Sequence, residues 1–141
     1  MTTRTDIALL FPGQGSQTPD MRDDVARELP ELLERCIELV GEDPFPRVDE
    51  STRFQQPAIF CASMAGWKAS DAKPSMAAGH SLGELGALTA AGVLDLDDAL
   101  ELVVLRGKLM AEAEHRRGAE GGAVGASGLG EGCATHGRPP W

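Results

Sequence analysis

Met76-Ala77-Ala78-Gly79-His80-Ser81-Leu82-Gly83-Glu84 is the stretch whose reading decides the fold. It combines a short apolar run, the pattern G-x-S-x-G, and the start of a helical pattern. A sharp strand-to-helix turn of this form lifts one serine out of the backbone. Glycines at 79 and 83 leave room for the turn and for close packing of helix on strand, because neither carries a Cβ. Ser81 would then stand at the first turn of a helix. The N–H of Leu82 would point to the same place as its Oγ, so that a nucleophile and a backbone donor converge on a carbonyl. The plainer alternative is a Gly-Ser turn in which Ser81 only caps the helix.

Working outward from that stretch, Ile7-Ala8-Leu9-Leu10-Phe11 is a second apolar run. It is too short for a helix and suits a strand buried on both faces of a parallel sheet. It ends in Pro12-Gly13-Gln14-Gly15-Ser16-Gln17, a loop whose backbone amides are free to face a ligand. A phosphate-binding loop is disfavoured there, because G-x-x-x-x-G-K-[ST] is absent and no lysine is near. A strand-to-helix turn without function remains open.

Residues 20–40 read as helix in two pieces divided at Pro30. Leu32, Leu33, Cys36, Leu39 and Val40 form one apolar face, and Gly41 ends the second piece. Residues 42–53 are a polar connection. Gln56-Pro57 opens the next helix, with proline near the first turn, and Ile59, Phe60, Met64 and Trp67 follow at helical spacing. Residues 68–74 form a polar loop, residues 82–91 a helix suited to burial, and Gly92 its end. Leu94-Asp95-Leu96-Asp97 supplies a turn and cap for a last helix over residues 97–114.

That last helix holds an anomaly. Asp97, Glu101, Lys108 and Glu112 share a solvent-facing sector of about 60°. Arg106 projects opposite them, beside Ala99, Val103 and Met110. An arginine on an apolar face needs a partner, because an unpaired buried charge is costly. An internal salt bridge or snorkelling to the surface would serve. So would a carboxylate ligand held by the planar guanidinium. Periodicity does not choose between them.

The chain has 141 residues and a formal net charge of −9. That charge argues against nucleic acid and against an acidic membrane surface as partners. No run approaches the ~18 apolar residues of a membrane span, and the first residues lack the apolar stretch of a secretion signal. Cys36, Cys61 and Cys133 read as reduced thiols of a cytoplasmic protein. His80, His115 and His136 have no ligand-like spacing, so no metal is expected. Residues 118–141 hold eight of the 17 glycines and keep no apolar period, so this tail is expected to be loosely attached or disordered.

With these pieces assembled, the chain resembles the N-terminal part of the malonyl-CoA:acyl carrier protein transacylases, a family related to polyketide synthase acyltransferases. The resemblance rests on Phe11-Pro12-Gly13-Gln14-Gly15-Ser16-Gln17, Gln56-Pro57-Ala58, Ala78-Gly79-His80-Ser81-Leu82-Gly83-Glu84, Ala90-Ala91-Gly92-Val93-Leu94 and Arg106-Gly107-Lys108. It implies an α/β fold: part of an α/β-hydrolase-like large subdomain, with a short parallel sheet and flanking helices, over residues 1–114. The ferredoxin-like small subdomain would be missing, and residues 115–141 would be a Gly/Pro-rich tail. Ser81 resembles the nucleophile, and the backbone N–H groups of Gln14 and Leu82 resemble the oxyanion hole. Arg106 looks like the grip on the free carboxylate of malonate. His80 lines the elbow as a substrate-binding residue and is not the base, and Gln56 either lines the pocket or caps its helix.

The implied partners are malonyl-CoA, the coenzyme A thioester being substrate rather than cofactor, and an acyl carrier protein. No cofactor is implied. Family members are about twice as long and supply the catalytic histidine from their second half. Neither His115 nor His136 matches that motif. The resemblance therefore leads to the expectation of a truncated or frameshifted chain, out of register from about residue 115 and weak in turnover. A polyketide synthase-type acyltransferase or other serine acyl-hydrolase fragment, and a non-catalytic fragment, are the alternatives.

Overall fold

The computed structural model describes residues 6–121, with side chains to residue 119. The tail from residue 122, with Cys133 and His136, lies outside the described residues, as does the expectation of disorder there. The elements are β1 (Ala8–Phe11), α1 (Met21–Glu28), α2 (Pro30–Val40), a 3-10 turn (Phe45–Arg47), α3 (Thr52–Ser70), β2 (Met76–Gly79), α4 (Leu82–Ala90) and α5 (Leu96–Gly121). This is an α/β arrangement with a short parallel sheet and helices.

β1 and β2 pair in parallel, with Ala8 opposite Met76 and Phe11 opposite Gly79. That register ends both strands at the same level. The Pro12-Gly13-Gln14-Gly15 loop and the Gly79–Gly83 turn therefore leave the sheet side by side, at the carboxyl edge where ligands bind in open α/β sheets. β1 is not buried on both faces as its apolar run suggests. Leu10 is 79% exposed and Met76 62% exposed. A two-stranded sheet covered by helices on one side leaves alternate residues of each strand facing outward.

The buried core joins Phe11, Val25, Leu33, Cys36, Ile59, Phe60, Met64, Leu82, Leu100 and Val103. α3 lies at its centre, and its buried residues run all round the helix from Phe54 to Ala65. Phe11 meets Trp67 edge to face, with ring centroids 6.4 Å apart. α1 and α2 divide at Pro30, and α2 ends at Gly41, whose φ of 90° is the left-handed cap a glycine supplies. Arg35 reaches from α2 to α5, with Nε donating to Asp97 Oδ1 at 2.9 Å and Nη2 to Glu101 Oε1 at 2.8 Å.

Three boundaries differ from the sequence reading. α3 begins at Thr52, capped by Ser51 Oγ accepting from Arg53 N–H at 3.1 Å, so Pro57 lies inside the helix and does not open it. Its missing N–H would otherwise have bonded the Arg53 carbonyl within the second turn. The same helix continues to Ser70 and closes on Asp71 at φ 50°. α5 continues past residue 114 to Gly121. His115, Arg116, Arg117, Gly118 and Ala119 are exposed there, so burial does not carry the extension.

Candidate active site

The turn between β2 and α4 is built by exclusion of side chains. A Cβ on Gly79 would fall onto the Gly83 carbonyl and within 2.6 Å of Glu84 N. A Cβ on Gly83 would overlap the Phe11 carbonyl and stand 3.0 Å from Pro12 O. One on Gly86 would stand 2.9 Å from the Phe11 ring. Both glycines of G-x-S-x-G are therefore required by close approach, and the second presses the elbow against the end of β1. Between them Ser81 takes φ 54°, ψ −107°, a strained conformation for a residue with a Cβ.

Ser81 does not cap α4, because its side chain makes no cap hydrogen bond. Its Oγ instead accepts from Arg106 Nη2 at 2.7 Å. The plain reading of Ser81 as a helix cap is thereby overturned. Among the described residues, Gln14 N–H and Leu82 N–H have no hydrogen-bond partner, whereas their neighbours Gly15 N–H and Gly83 N–H bond Gln17 Oε1 and His80 O. Gly15 has φ 92°, and Ser16 Oγ donates to Gly13 O at 2.9 Å, which fixes the loop. Gln14 Nε2 also donates to Gln55 Oε1 at 2.6 Å, tying the loop to α3.

Arg106 is half-buried and belongs to none of the ion pairs among the described residues. An internal salt bridge among the described residues does not account for it. Nη1 donates to Gln56 Oε1 at 2.6 Å while Nη2 holds Ser81. Gln56 is fully buried and sits in the second turn of α3, so it does not cap that helix. The approach of α5 to α3 is set by Gly107. A Cβ there would stand 2.6 Å from Thr52 O, and Thr52 Oγ1 donates to Gly107 O at 3.1 Å. Sequence spacing gave no sign of the Gln56–Arg106 contact, which spans 50 residues of chain.

His80 is exposed, and its carbonyl accepts from Gly83 N–H at 2.9 Å. Among the described residues, no imidazole hydrogen-bonds Ser81. His115 lies exposed on α5. Leu85, Leu105, Arg106, Leu109 and Met110 line an open apolar groove of about 480 Å³ beside the guanidinium. Among the described residues no cluster of His, Cys, Asp or Glu could hold a metal ion, and no helix is long and apolar enough to cross a membrane.

The chain belongs to the acyl transferase domain family, which it matches over residues 8–128. It is 45% identical over 122 residues to the malonyl CoA-acyl carrier protein transacylase of Haemophilus influenzae, a match covering 76% of this chain and 39% of that protein. The fold resembles the crystal structure of the transacylase from Streptococcus pneumoniae, with a TM-score of 0.65, 39% identity, and 75% and 39% of the two chains covered. It also resembles a malonyl-transacylase solved in complex with its type II polyketide synthase acyl carrier protein. There the TM-score is 0.63 at 40% identity, covering 77% of this chain and 40% of that one. The chain thus spans about 40% of the length of these relatives.

Proposed function

We propose that the chain carries the nucleophile and acyl-carboxylate site of a malonyl transferase, which moves malonyl from coenzyme A to an acyl carrier protein through an ester on Ser81. The observation that carries this reading is the 2.7 Å hydrogen bond from Arg106 Nη2 to Ser81 Oγ. A cation that close to the nucleophile lies where the free carboxylate of a short dicarboxylic acyl group would sit. A neutral acyl group gives the arginine no such role.

In the first half-reaction Ser81 Oγ bonds the thioester carbonyl carbon and its proton passes to a base. The tetrahedral oxyanion is taken by the N–H groups of Gln14 and Leu82, both without a partner among the described residues. The C–S bond then breaks, and the coenzyme A thiolate takes up a proton. In the second half-reaction a carrier-protein thiol attacks the ester carbonyl and Ser81 recovers its proton. No cofactor is needed, because the thioester supplies the activated acyl group. His80 flanks the acyl site without serving as base. The parallel strands and the elbow support the finer assignment to an α/β-hydrolase-like large subdomain. A cytoplasmic setting is part of this reading; among the described residues no helix is long and apolar enough to cross a membrane.

Incubation with radiolabelled malonyl-CoA, quenched in acid, tests the reading. Label should be retained by the wild-type chain and lost in Ser81→Ala. Arg106→Ala should lose the preference for malonyl-CoA over acetyl-CoA. Equal labelling from both thioesters in the wild-type chain overturns the malonyl assignment. Because no imidazole reaches Ser81 among the described residues, labelling should be slow. It should hold near the ~10³–10⁴-fold advantage over water that remains when a triad loses its base.

A further inference from the structure

We infer that Gln56 is a positioning residue: its side-chain oxygen fixes the Arg106 guanidinium toward Ser81 while leaving the positive charge free for an anionic acyl group. The inference deepens the malonyl-transfer reading and rests on it for the identity of the anion.

Gln56 is 0% exposed and one of the two buried polar or charged residues of the described core, the other being Thr52. A buried amide must have both ends satisfied. Its oxygen accepts from Arg106 Nη1 at 2.6 Å, and its nitrogen donates to Met110 Sδ at 2.9 Å. These partners fix the amide's orientation, because a guanidinium only donates and a thioether only accepts. Met110 lies one turn beyond Arg106 on α5, so both ends of Gln56 are held by one helix face. Gly107, between them in the chain, lets that face approach α3.

The choice of glutamine has a chemical consequence. A carboxylate in this place would also orient the guanidinium, but it would neutralise it and compete with the incoming carboxylate. An apolar side chain would leave the charge free and let the guanidinium turn. A neutral acceptor orients one Nη and leaves the charge uncompensated. With Nη1 held on Gln56, Nη2 is directed to Ser81.

Two variants separate orientation from charge. Gln56→Met keeps the volume and removes the acceptor; Gln56→Glu keeps the acceptor and adds a charge. The readouts are nitrogen NMR of the Arg106 side chain, which reports rotation about its Cζ–Nε bond, and titration with malonate followed in the amide spectrum. In the wild-type chain the two Nη groups should be distinct. In Gln56→Met they should merge through faster rotation, with an otherwise native amide spectrum and malonate affinity reduced about tenfold. In Gln56→Glu they should stay distinct while malonate binding is lost.

A residue that only fills space would give neither split. Unchanged Arg106 rotation in Gln56→Met overturns the inference. So does wild-type malonate affinity in Gln56→Glu, which also carries the test if the methionine variant does not fold. Failure of the wild-type chain to bind malonate overturns the malonyl reading instead, and leaves the orienting role to be decided by rotation.

Discussion

Ser81 is held in a backbone conformation that disfavours its own side chain. At φ 54° and ψ −107° a Cβ is strained, at a cost of about 1–3 kcal/mol. The elbow around it persists because Gly79 and Gly83 permit contacts that no other residue fits. Ser81→Gly should therefore be more stable than Ser81→Ala by about 1 kcal/mol or more in urea denaturation, although both lack Oγ and neither should accept an acyl group. Equal stability of the two would mean that the turn relaxes and stores no strain. Gly83→Ala should have the opposite effect. Its methyl would overlap the Phe11 carbonyl, and a loss of about 1–3 kcal/mol is expected from overpacking, read as a lowered urea midpoint.

These residues were legible in the sequence because short-range chemistry defines them. Ser81 and Gln14 lie in turns that their neighbouring glycines declare, Leu82 opens the helix that follows, and Arg106 declares itself by breaking an apolar face. Gln56 was not legible in its role, because a buried amide takes its partners from wherever the fold brings them. Here they come from a helix 50 residues further along the chain.

At the scale of the element, α3 organises the molecule, and the start of α3 was the main misreading. Pro57 is a familiar first-turn residue, yet the helix opens at Ser51, five residues before Gln56, because a hydroxyl cap satisfies the free N–H groups better than proline's missing donor avoids them. Moving the start forward places Gln55 and Gln56 in the second turn, where they reach Gln14 and Arg106. Ser51→Ala should remove the cap and cost about 1 kcal/mol, measured by thermal or urea unfolding. Ser51→Asp should restore most of that loss. The sheet was legible as two parallel apolar strands, but its burial was not. An apolar run reports which residues can be covered, and Leu10 and Met76 show that covering also needs neighbours.

At the scale of the whole molecule, pH acts through the core. Cys36 and Cys61 are fully buried free thiols on α2 and α3. A hydrogen bond that the protonated Cys61 makes to the neighbouring Cys36 sulfur, and then burial, hold Cys61 well above its ordinary value of 9.0. Its neutral form is therefore favoured in the folded state. Stability from this source is fully present below pH 9 and is lost as the unfolded thiol ionises above it, by up to about 1.4 kcal/mol per pH unit. Urea midpoints should fall between pH 9 and 10.5 in the wild-type chain, and fall less in Cys61→Ala. At pH 7 both thiols should resist alkylation until the chain is unfolded.

The surface makes the last prediction. Leu102, Leu105 and Leu109 lie on one side of α5 at 45%, 51% and 53% exposure, and they border the groove beside Arg106. Their spacing of three and four residues is that of a helix face made for packing, yet among the described residues nothing covers it. Apolar surface in one stripe drives association, while the same residues scattered singly would not. The chain should therefore self-associate with rising concentration in sedimentation equilibrium. Replacing all three leucines by glutamine should shift it toward monomer. The substitutions should cost little stability, because half-exposed side chains lose little on becoming polar. A wild-type chain that stays monomeric at high concentration would mean that the stripe is covered in solution by part of the chain itself. A triple variant that unfolds would show that these leucines already contribute to the core.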